Sequence, residues 1–539
     1  MKYINSRLLL LGVIAAIAMP ACKKQLDIPS RNAIDASIAL ADKTGIEGAI
    51  NSVYSVLKRE SHYGRDLFSI PEAMADVAFA NGRSSRLVNE NRNTSGANMT
   101  TALWTGSYGA INEINLILDA APAAKGALPA DLTRWEGELK FLRALFLFDL
   151  VKNYSYIPTF TVPAQDKGGV VINLKGFNNP PDAVAYYPKR STTAECYAQI
   201  MSDLYAAINL LANNGRVSSG SSAGVAIGYA SKHAALALGS RVRLYEGNWA
   251  KADSFATAAI ALTTPLGAMT NTSNYVTGWR AANHPEAIFQ VWYATLGENL
   301  GVNTSLAATH TTLSASGAAF LTRQGQGDLV PNAFLINQLG IVDTFLTAAP
   351  GCVKTAFNFS SSLSTSANTT CTPGTPLLPV TTYSSDIRGR LFEWGTNTSG
   401  HYMECTKWLG KNGGANWDNT VILRWPELYL NRAEARYQMG QEALAWADLN
   451  VIRTARYTGF VVPGSQDFTG AALLSEILRQ RMLEFAFEGH RFYDLKRYGT
   501  SIVKANPVTN LPATDFKLLP RIPITEVDGN VNMVQNFGY

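Results

Sequence analysis

The sequence predicts a mainly α-helical protein: a helical body built partly of hairpins and interrupted by one long loop-rich region. Three observations carry this. Apolar residues recur at helical spacing over much of the chain, and two distant segments share one hairpin pattern. The stretch between those segments loses the period and fills with Gly, Ser, Thr and Asn.

The helical period is clear in Tyr197, Ile200, Leu204, Ile208 and Leu211, whose spacings of three and four place them on one face. Similar stretches run from Ile46 to Leu57, Trp104 to Leu118, Leu132 to Val151 and Leu473 to Arg497, so strands are expected to be a minority. The shared hairpin pattern is built around a turn glycine, Gly247 in one copy and Gly440 in the other. Seven residues before it sits a small residue (Ser240, Ala433) and five after it an alanine (Ala252, Ala445). Apolar residues follow at nine and twelve (Ala256 and Ala259; Leu449 and Ile452). Small residues at these places let paired helices approach closely, the logic of a tetratricopeptide-type hairpin, here interrupted rather than tandem.

The intervening region, roughly Gly267 to Asn419, carries Tyr275, Trp279, Trp292, Tyr293, Trp394, Tyr402, Trp408 and Trp417. Disordered segments are usually poor in aromatics, so an ordered functional surface is expected. Cys352 and Cys371 bracket a Ser/Thr-rich loop within it and are predicted to pair, with two unpaired thiols as the alternative.

At the N-terminus, Lys2 and Arg7 precede an apolar run from Leu8 to Met19, too short to span a bilayer and suited to a signal peptide. Met19-Pro20-Ala21-Cys22 places a cysteine where a bacterial lipoprotein is cut and acylated, so residues 1–21 read as the leader and Cys22 as the lipidation site. Ala16-Ile17-Ala18 offers a competing site, leaving a plain secretory signal as the alternative. Losing Lys2 and Arg7 takes the formal charge from +5 to 5 − 2 = +3. With no basic stripe, nucleic-acid binding has little support, and no later apolar stretch is long enough to cross a membrane.

Enzymatic patterns are weak. Gly220-Ser221-Ser222-Ala223-Gly224 fits a nucleophile elbow, but the polar run from Asn213 to Ser219 stands where the elbow needs a buried strand. The six histidines never fall into H-x-x-x-H, no C-x-x-C occurs, and Walker and dinucleotide glycine patterns are missing, so no metal or cofactor is expected. Asp528-Gly529-Asn530 reads as a turn. Glu484 and Glu488, one helical turn apart with Arg481 and Arg491 nearby, read as a helix-stabilising ion-pair network, although a carboxylate pair of the kind that hydrolyses glycosides stays open.

Several passages together resemble the SusD/RagB family of surface nutrient-binding lipoproteins. The most specific is Ile477 to Gly499, ILRQRMLEFAFEGHRFYDLKRYG, which departs from the family pattern at Gln480, usually Glu. Also similar are Cys22 to Asp27, Leu139 to Leu145, Leu423 to Glu427 leading into Asn431 to Ala435, and Gln535 to Tyr539. Arg521 interrupts the family's proline-rich turn between Pro520 and Pro523. The resemblance implies one SusD-like domain over 22–539, with a helical framework at about 35–265 and 420–500 and a variable region at about 267–419. It further implies a non-enzymatic protein, lipid-anchored on the outer-membrane surface, that hands oligosaccharides to a SusC-like TonB-dependent transporter. Capture of peptides is the alternative, and a surface glycoside hydrolase the more remote one.

Sugar rings expose an apolar face that stacks on Trp or Tyr, so Tyr275, Trp279, Trp394 and Tyr402 are the platform candidates. Asn81 and Arg83 are polar candidates, because ligand contacts in the resembled family often fall in that region. Trp104, Trp249 and Trp425 sit in helical patterns and are assigned to the core.

Overall fold

The computed structural model describes residues 36–94, 101–216, 227–293, 296–298, 300–313, 325–345, 379–395, 402–410, 416–504 and 510–539. The leader, Cys22, the Cys352–Cys371 pair and the Gly220–Gly224 motif lie outside them. Of the remaining cysteines, Cys196 and Cys405 are buried free thiols. No described helix is long and apolar enough to cross a membrane.

The long helices follow one another in space as they do in sequence. α1 (Lys43–Val56), α3 (Thr101–Ala120), α4 (Pro129–Tyr154), α5 (Thr193–Leu210), α6 (Lys232–Glu246), α7 (Trp249–Ile260), α8 (Trp425–Gln438) and α9 (Glu442–Arg456) each pack on the next, and α10 (Gly470–Glu484) folds back onto α8 and α9. α2 (Asp66–Met74) packs on α11 (Arg491–Arg497) from the other end of the chain. Side chains set the helix starts. The carboxylate of Asp42 accepts from the Gly45 N–H at 2.9 Å, and at α5 the Thr192 hydroxyl and Glu195 carboxylate exchange bonds with each other's backbone. α4 is buried continuously from Phe141 through Tyr154, which explains its weak amphipathic pattern: it has partners on every side there.

Both glycine-centred hairpins form, α6 with α7 and α8 with α9, turning at Gly247 (φ +79°) and Gly440 (φ +73°). Left-handed backbone of this kind favours a residue without a Cβ. Ser240, Ala252, Ala433 and Ala445 are fully buried at the crossings, and the Ser240 hydroxyl donates to the Ala252 carbonyl at 3.2 Å, a reach that larger side chains would prevent. Buried arginine–carboxylate pairs lock the array. Arg143 on α4 grips Asp203 on α5 at 2.8 and 2.7 Å, and Arg241 on α6 grips Glu427 on α8 at 2.5 and 2.6 Å.

Between α7 and α8 no described helix exceeds six residues. Two-stranded antiparallel sheets organise this region: β1 (Ala78–Ala80) with β3 (Leu329–Pro331), β2 (Ala287–Val291) with β8 (Thr420–Arg424), β4 (Ile341–Phe345) with β5 (Pro379–Tyr383), and β6 (Phe392–Trp394) with β7 (Met403–Cys405). β8 runs without a linker into α8 at Arg424 and Trp425.

Arg424 sits at the middle of a buried ion network. Its guanidinium reaches Glu484 at 2.5 Å, Glu488 twice at 2.8 Å, Glu286 at 3.2 Å and the Glu484 carbonyl at 2.7 Å. Arg456, at the end of α9, bonds Glu286 at 2.6 Å and Glu484 at 2.9 and 3.0 Å. Arg388 is held by Asp386 and the Gln480 side chain and lies 3.4 Å from Glu484, and Lys407 reaches Glu488 at 2.6 Å and two backbone carbonyls. Gln480, the departure from the family pattern, thus keeps a hydrogen bond to Arg388 while leaving the count at four cations and four carboxylates. Burial pushes the Glu484 carboxyl upward, but Arg456 and Arg424 outweigh it and hold the group well below the usual carboxylate range.

The expected pairing of Glu484 and Glu488 with Arg481 and Arg491 is corrected. The helical stretch from Leu473 to Arg497 breaks after Glu484, where Phe487 takes a left-handed conformation (φ +64°), so the two carboxylates are no longer one helical turn apart. Arg481 turns to Asn431 at 2.7 Å and Arg491 forms a bidentate pair with Asp76 at 2.7 Å. In the same turn the Gly489 N–H donates to Glu72 at 2.9 Å. Burial raises the Glu72 carboxyl to about 8, with nearby Glu488 adding to that effect and Lys407 opposing it, so Glu72 stays protonated at neutral pH and leaves the network balanced.

Two outcomes are expected. Glu484→Ala leaves Arg424 and Arg456 with Glu286 as their one shared counter-charge in place of two and costs about 3–5 kcal/mol of stability; an unchanged urea midpoint contradicts the network's role. Glu72 has a folded pKa above its ordinary value of 4.5, so its stabilising contribution is complete below that value and is lost as pH rises toward about 8. Glu72→Gln therefore gains stability relative to the parent between pH 5 and pH 8.5, measured by thermal unfolding at both, and a constant difference argues against a protonated Glu72.

Candidate functional site

Three of the six sequence-predicted ligand residues, Asn81, Arg83 and Tyr402, come together where β1 and β3 meet the β6–β7 hairpin, and a fourth, Trp394, stands on the β6 strand of that hairpin. The loop after β1 is tied to the segment before β3. The Asn81 N–H donates to the Asp328 carbonyl at 2.9 Å, its side-chain amide to the Gly327 carbonyl at 2.5 Å, and its side-chain oxygen accepts from the Arg83 N–H at 3.1 Å. Asp328, itself buried, accepts from Ser84 at 2.6 Å and from Arg86 at 2.9 and 2.5 Å. These bonds fix a loop that contains left-handed residues at Ser85 and Leu87.

The fixed loop projects Arg83 over the ring of Tyr402, with the guanidinium carbon 5.0 Å from the ring centroid. Cation–π geometry of this kind orients both partners. Arg83 also reaches the Gln326 carbonyl at 3.2 Å and the Glu404 carboxylate at 3.4 Å. Phe79 meets the Tyr402 ring edge-on, 5.8 Å away. Trp394 is paired with Met403 in the β6–β7 hairpin, so strand alternation turns its side chain to the face opposite Tyr402; the closing bond of the pair runs from the Gly395 N–H to the Tyr402 carbonyl at 2.9 Å. Phe79, Asn81, Arg83, Trp394 and Tyr402 are all half-buried, so part of each remains accessible.

Glu404 is the hidden support of this cluster. It is fully buried in β7 and accepts from the Thr312 N–H at 2.6 Å, the Thr312 hydroxyl at 2.8 Å and the Thr311 hydroxyl at 3.1 Å. Burial pushes its carboxyl above the usual range, opposed by the Thr312 bonds and by Arg83. Gly327 and Gly395 make its room: a Cβ at either would collide with the carboxylate, and Gly327 is left-handed as well (φ +58°).

Tyr275 and Trp279 are placed elsewhere. Both are fully buried, so their rings offer no face to a ligand. They pack on the ion network instead, Arg456 lying 4.2 Å from the Tyr275 ring, and Lys407 and Arg424 lying 4.9 and 5.6 Å from the Trp279 ring. Aromatic faces there shield buried cations. Trp408 is also core, Trp104 and Trp425 are buried as expected, and Trp249 is half-buried. Sequence reasoning missed Phe79, Asp328 and Glu404. The signal for Glu404 was an acid between two apolar residues in Met403-Glu404-Cys405. No described group of three or more His, Cys, Asp or Glu side chains is arranged to hold a metal.

The comparisons agree with this architecture. A family model described as "Starch-binding associating with outer membrane" matches residues 26–244, and the SusD family model matches residues 377–539. A SusD superfamily protein of Bacteroides thetaiotaomicron shares the fold with a TM-score of 0.72 at 24% identity, over 92% of this chain and 99% of that one. Surface glycan-binding protein A of Bacteroides fluxus does so with a TM-score of 0.65 at 19% identity, over 93% and 100%. SusD-like protein P38 of Formosa agariphila is 29% identical over 126 residues, 22% of this chain, and the match spans a quarter (25%) of that relative's length. With SusD-type family models matching residues 26–244 and 377–539, the chain belongs to the SusD/RagB family.

Proposed function

We propose that this protein is a lipid-anchored, surface-exposed outer-membrane protein that captures oligosaccharides and delivers them, uncleaved, to a SusC-like TonB-dependent transporter. The observation that carries the reading is the half-open ring of Tyr402 held between Phe79 and Arg83. A pyranose presents an apolar C–H face to such a ring while its hydroxyls take donors from Arg83 and Asn81. Family membership, the starch-binding and outer-membrane association of the matched family model and the glycan-binding name of the Bacteroides fluxus protein point the same way. Met19 to Cys22 supports the anchor. In this reading the helical body packs against the transporter's barrel and ligand sits at the shared interface.

Binding without hydrolysis is supported by how the carboxylates are used. Glu484 and Glu488 are buried and neutralised by cations, while Glu404 and Asp328 are buried and already engaged by Arg83 and Arg86.

The test is retardation of the leaderless chain, residues 23–539, in native gels containing a panel of polysaccharides that begins with amylopectin. One glycan is expected to retard the protein, and Tyr402→Ala to weaken that binding about tenfold, about 1.4 kcal/mol. Trp279→Ala is not a site probe, because it opens the core. Saturable binding of a peptide mixture with no glycan retardation replaces this reading with peptide capture, and release of new reducing ends from any glycan defeats the non-enzymatic part.

A further inference from the structure

A cavity of about 420 Å³ opens where α3, the segment 171–177 and the short helix Ile524–Gly529 meet, and it shares no lining residue with the Tyr402 cluster. Its size falls in the range of small-molecule sites. Two aromatic pairs wall it. Trp104 and Tyr108 lie 4.9 Å apart on α3, and Phe177 and Tyr186 lie 4.9 Å apart at a 39° tilt. Tyr186 is 39% exposed, so its ring is open to an incoming molecule.

The walls are held in place independently of any ligand. The Asn112 side chain exchanges two bonds with the Phe177 backbone at 2.8 and 3.0 Å, Asn115 donates to the Asn173 and Lys175 carbonyls, and Tyr108 donates to the Val171 carbonyl at 2.9 Å. On the far side Asn530 donates to the Pro188 carbonyl and Asn532 to the Tyr187 carbonyl, both at 2.7 Å. Polar groups enter from two directions, the Asn173 side chain and the half-buried carboxylate of Glu526. Among the described residues no hydrogen bond or ion pair engages that carboxylate.

This lining selects a chemistry. No basic side chain lines the cavity, although Lys175 lies 5.0 Å from the Phe177 ring, so an anionic ligand meets Glu526 uncompensated. A wholly apolar ligand strips water from Glu526 and Asn173 and returns no hydrogen bond. A neutral polyol with one apolar face satisfies both the rings and the acceptors. We infer that this cavity is a second carbohydrate site, holding a sugar ring between the Phe177–Tyr186 pair and Glu526. The inference rests on the glycan reading above.

Calorimetric titration of the leaderless chain with maltoheptaose, xylohexaose and cellohexaose, together with any glycan found in the gels, is the experiment. The parent protein is expected to show two sites per chain for the oligosaccharide it binds. Tyr186→Ala removes one and spares the other, Tyr402→Ala does the reverse, and Glu526→Gln, which preserves shape, weakens the second site roughly tenfold, the scale of one hydrogen bond to a charged group. A single site that Tyr402→Ala abolishes and Tyr186→Ala leaves untouched overturns the second site alone. No binding by the parent protein overturns both readings. Binding of a cationic peptide that Glu526→Gln abolishes, with no sugar at this place, overturns the carbohydrate assignment.

Discussion

The arrangement of this protein depends on a cluster of four buried cations and four buried carboxylates around Arg424. Each charge taken out of water must be compensated inside, because an unpaired one costs several kcal/mol. The compensation is drawn from parts of the chain that otherwise share little: Arg424, Arg456 and Glu484 come from helix termini of the array, whereas Glu286, Arg388 and Lys407 come from the loop-bearing region. Arg388 stands four residues before β6 and Lys407 two residues after β7, so the hairpin bearing Trp394 and Tyr402 is anchored at both ends to the helical body. The rigidity of the candidate ligand surface is therefore inherited from charge pairing in the interior.

Much of the helical body was legible because helices announce themselves through local spacing. The offsets around Gly247 and Gly440 described two hairpins whose crossings contain the small residues that the pattern required. Long-range pairing was not legible. Glu484 and Glu488 were read with Arg481 and Arg491 because sequence displays neighbours, while their actual partners are 28 to 96 residues away. The break at Phe487 that separates them is a positive-φ phenylalanine inside an apolar helical period, and no local rule anticipates it.

The candidate ligand surface was legible in part, for the same reason. Tryptophan and tyrosine in a loop-rich region mark either a binding face or a satellite core, and composition does not distinguish them. Tyr275 and Trp279 became lids over Arg456, Lys407 and Arg424, whereas Trp394 and Tyr402 stayed half-open, Tyr402 beside Arg83. What separates the two outcomes is the location of buried cations, which only the assembled fold reveals. Glu404 shows the same dependence in reverse, since its acid is useful because Gly327 and Gly395 leave space for it and because Thr311, Thr312 and Arg83 converge there.

The β4–β5 ladder has an evolutionary corollary. Phe345 and Pro379 are paired across it, so the 33 residues numbered 346–378 depart from and return to one point on the scaffold. Closing a longer excursion between fixed ends adds little entropy cost, about 0.6 kcal/mol for each doubling. A change of length there leaves both ends of the ladder free to stay in register, whereas a residue added between β8 and α8 shifts Arg424 against Trp425 and Glu427. The same scaffold can thus exchange segments of different lengths between these paired ends while its strand–helix junction keeps one length.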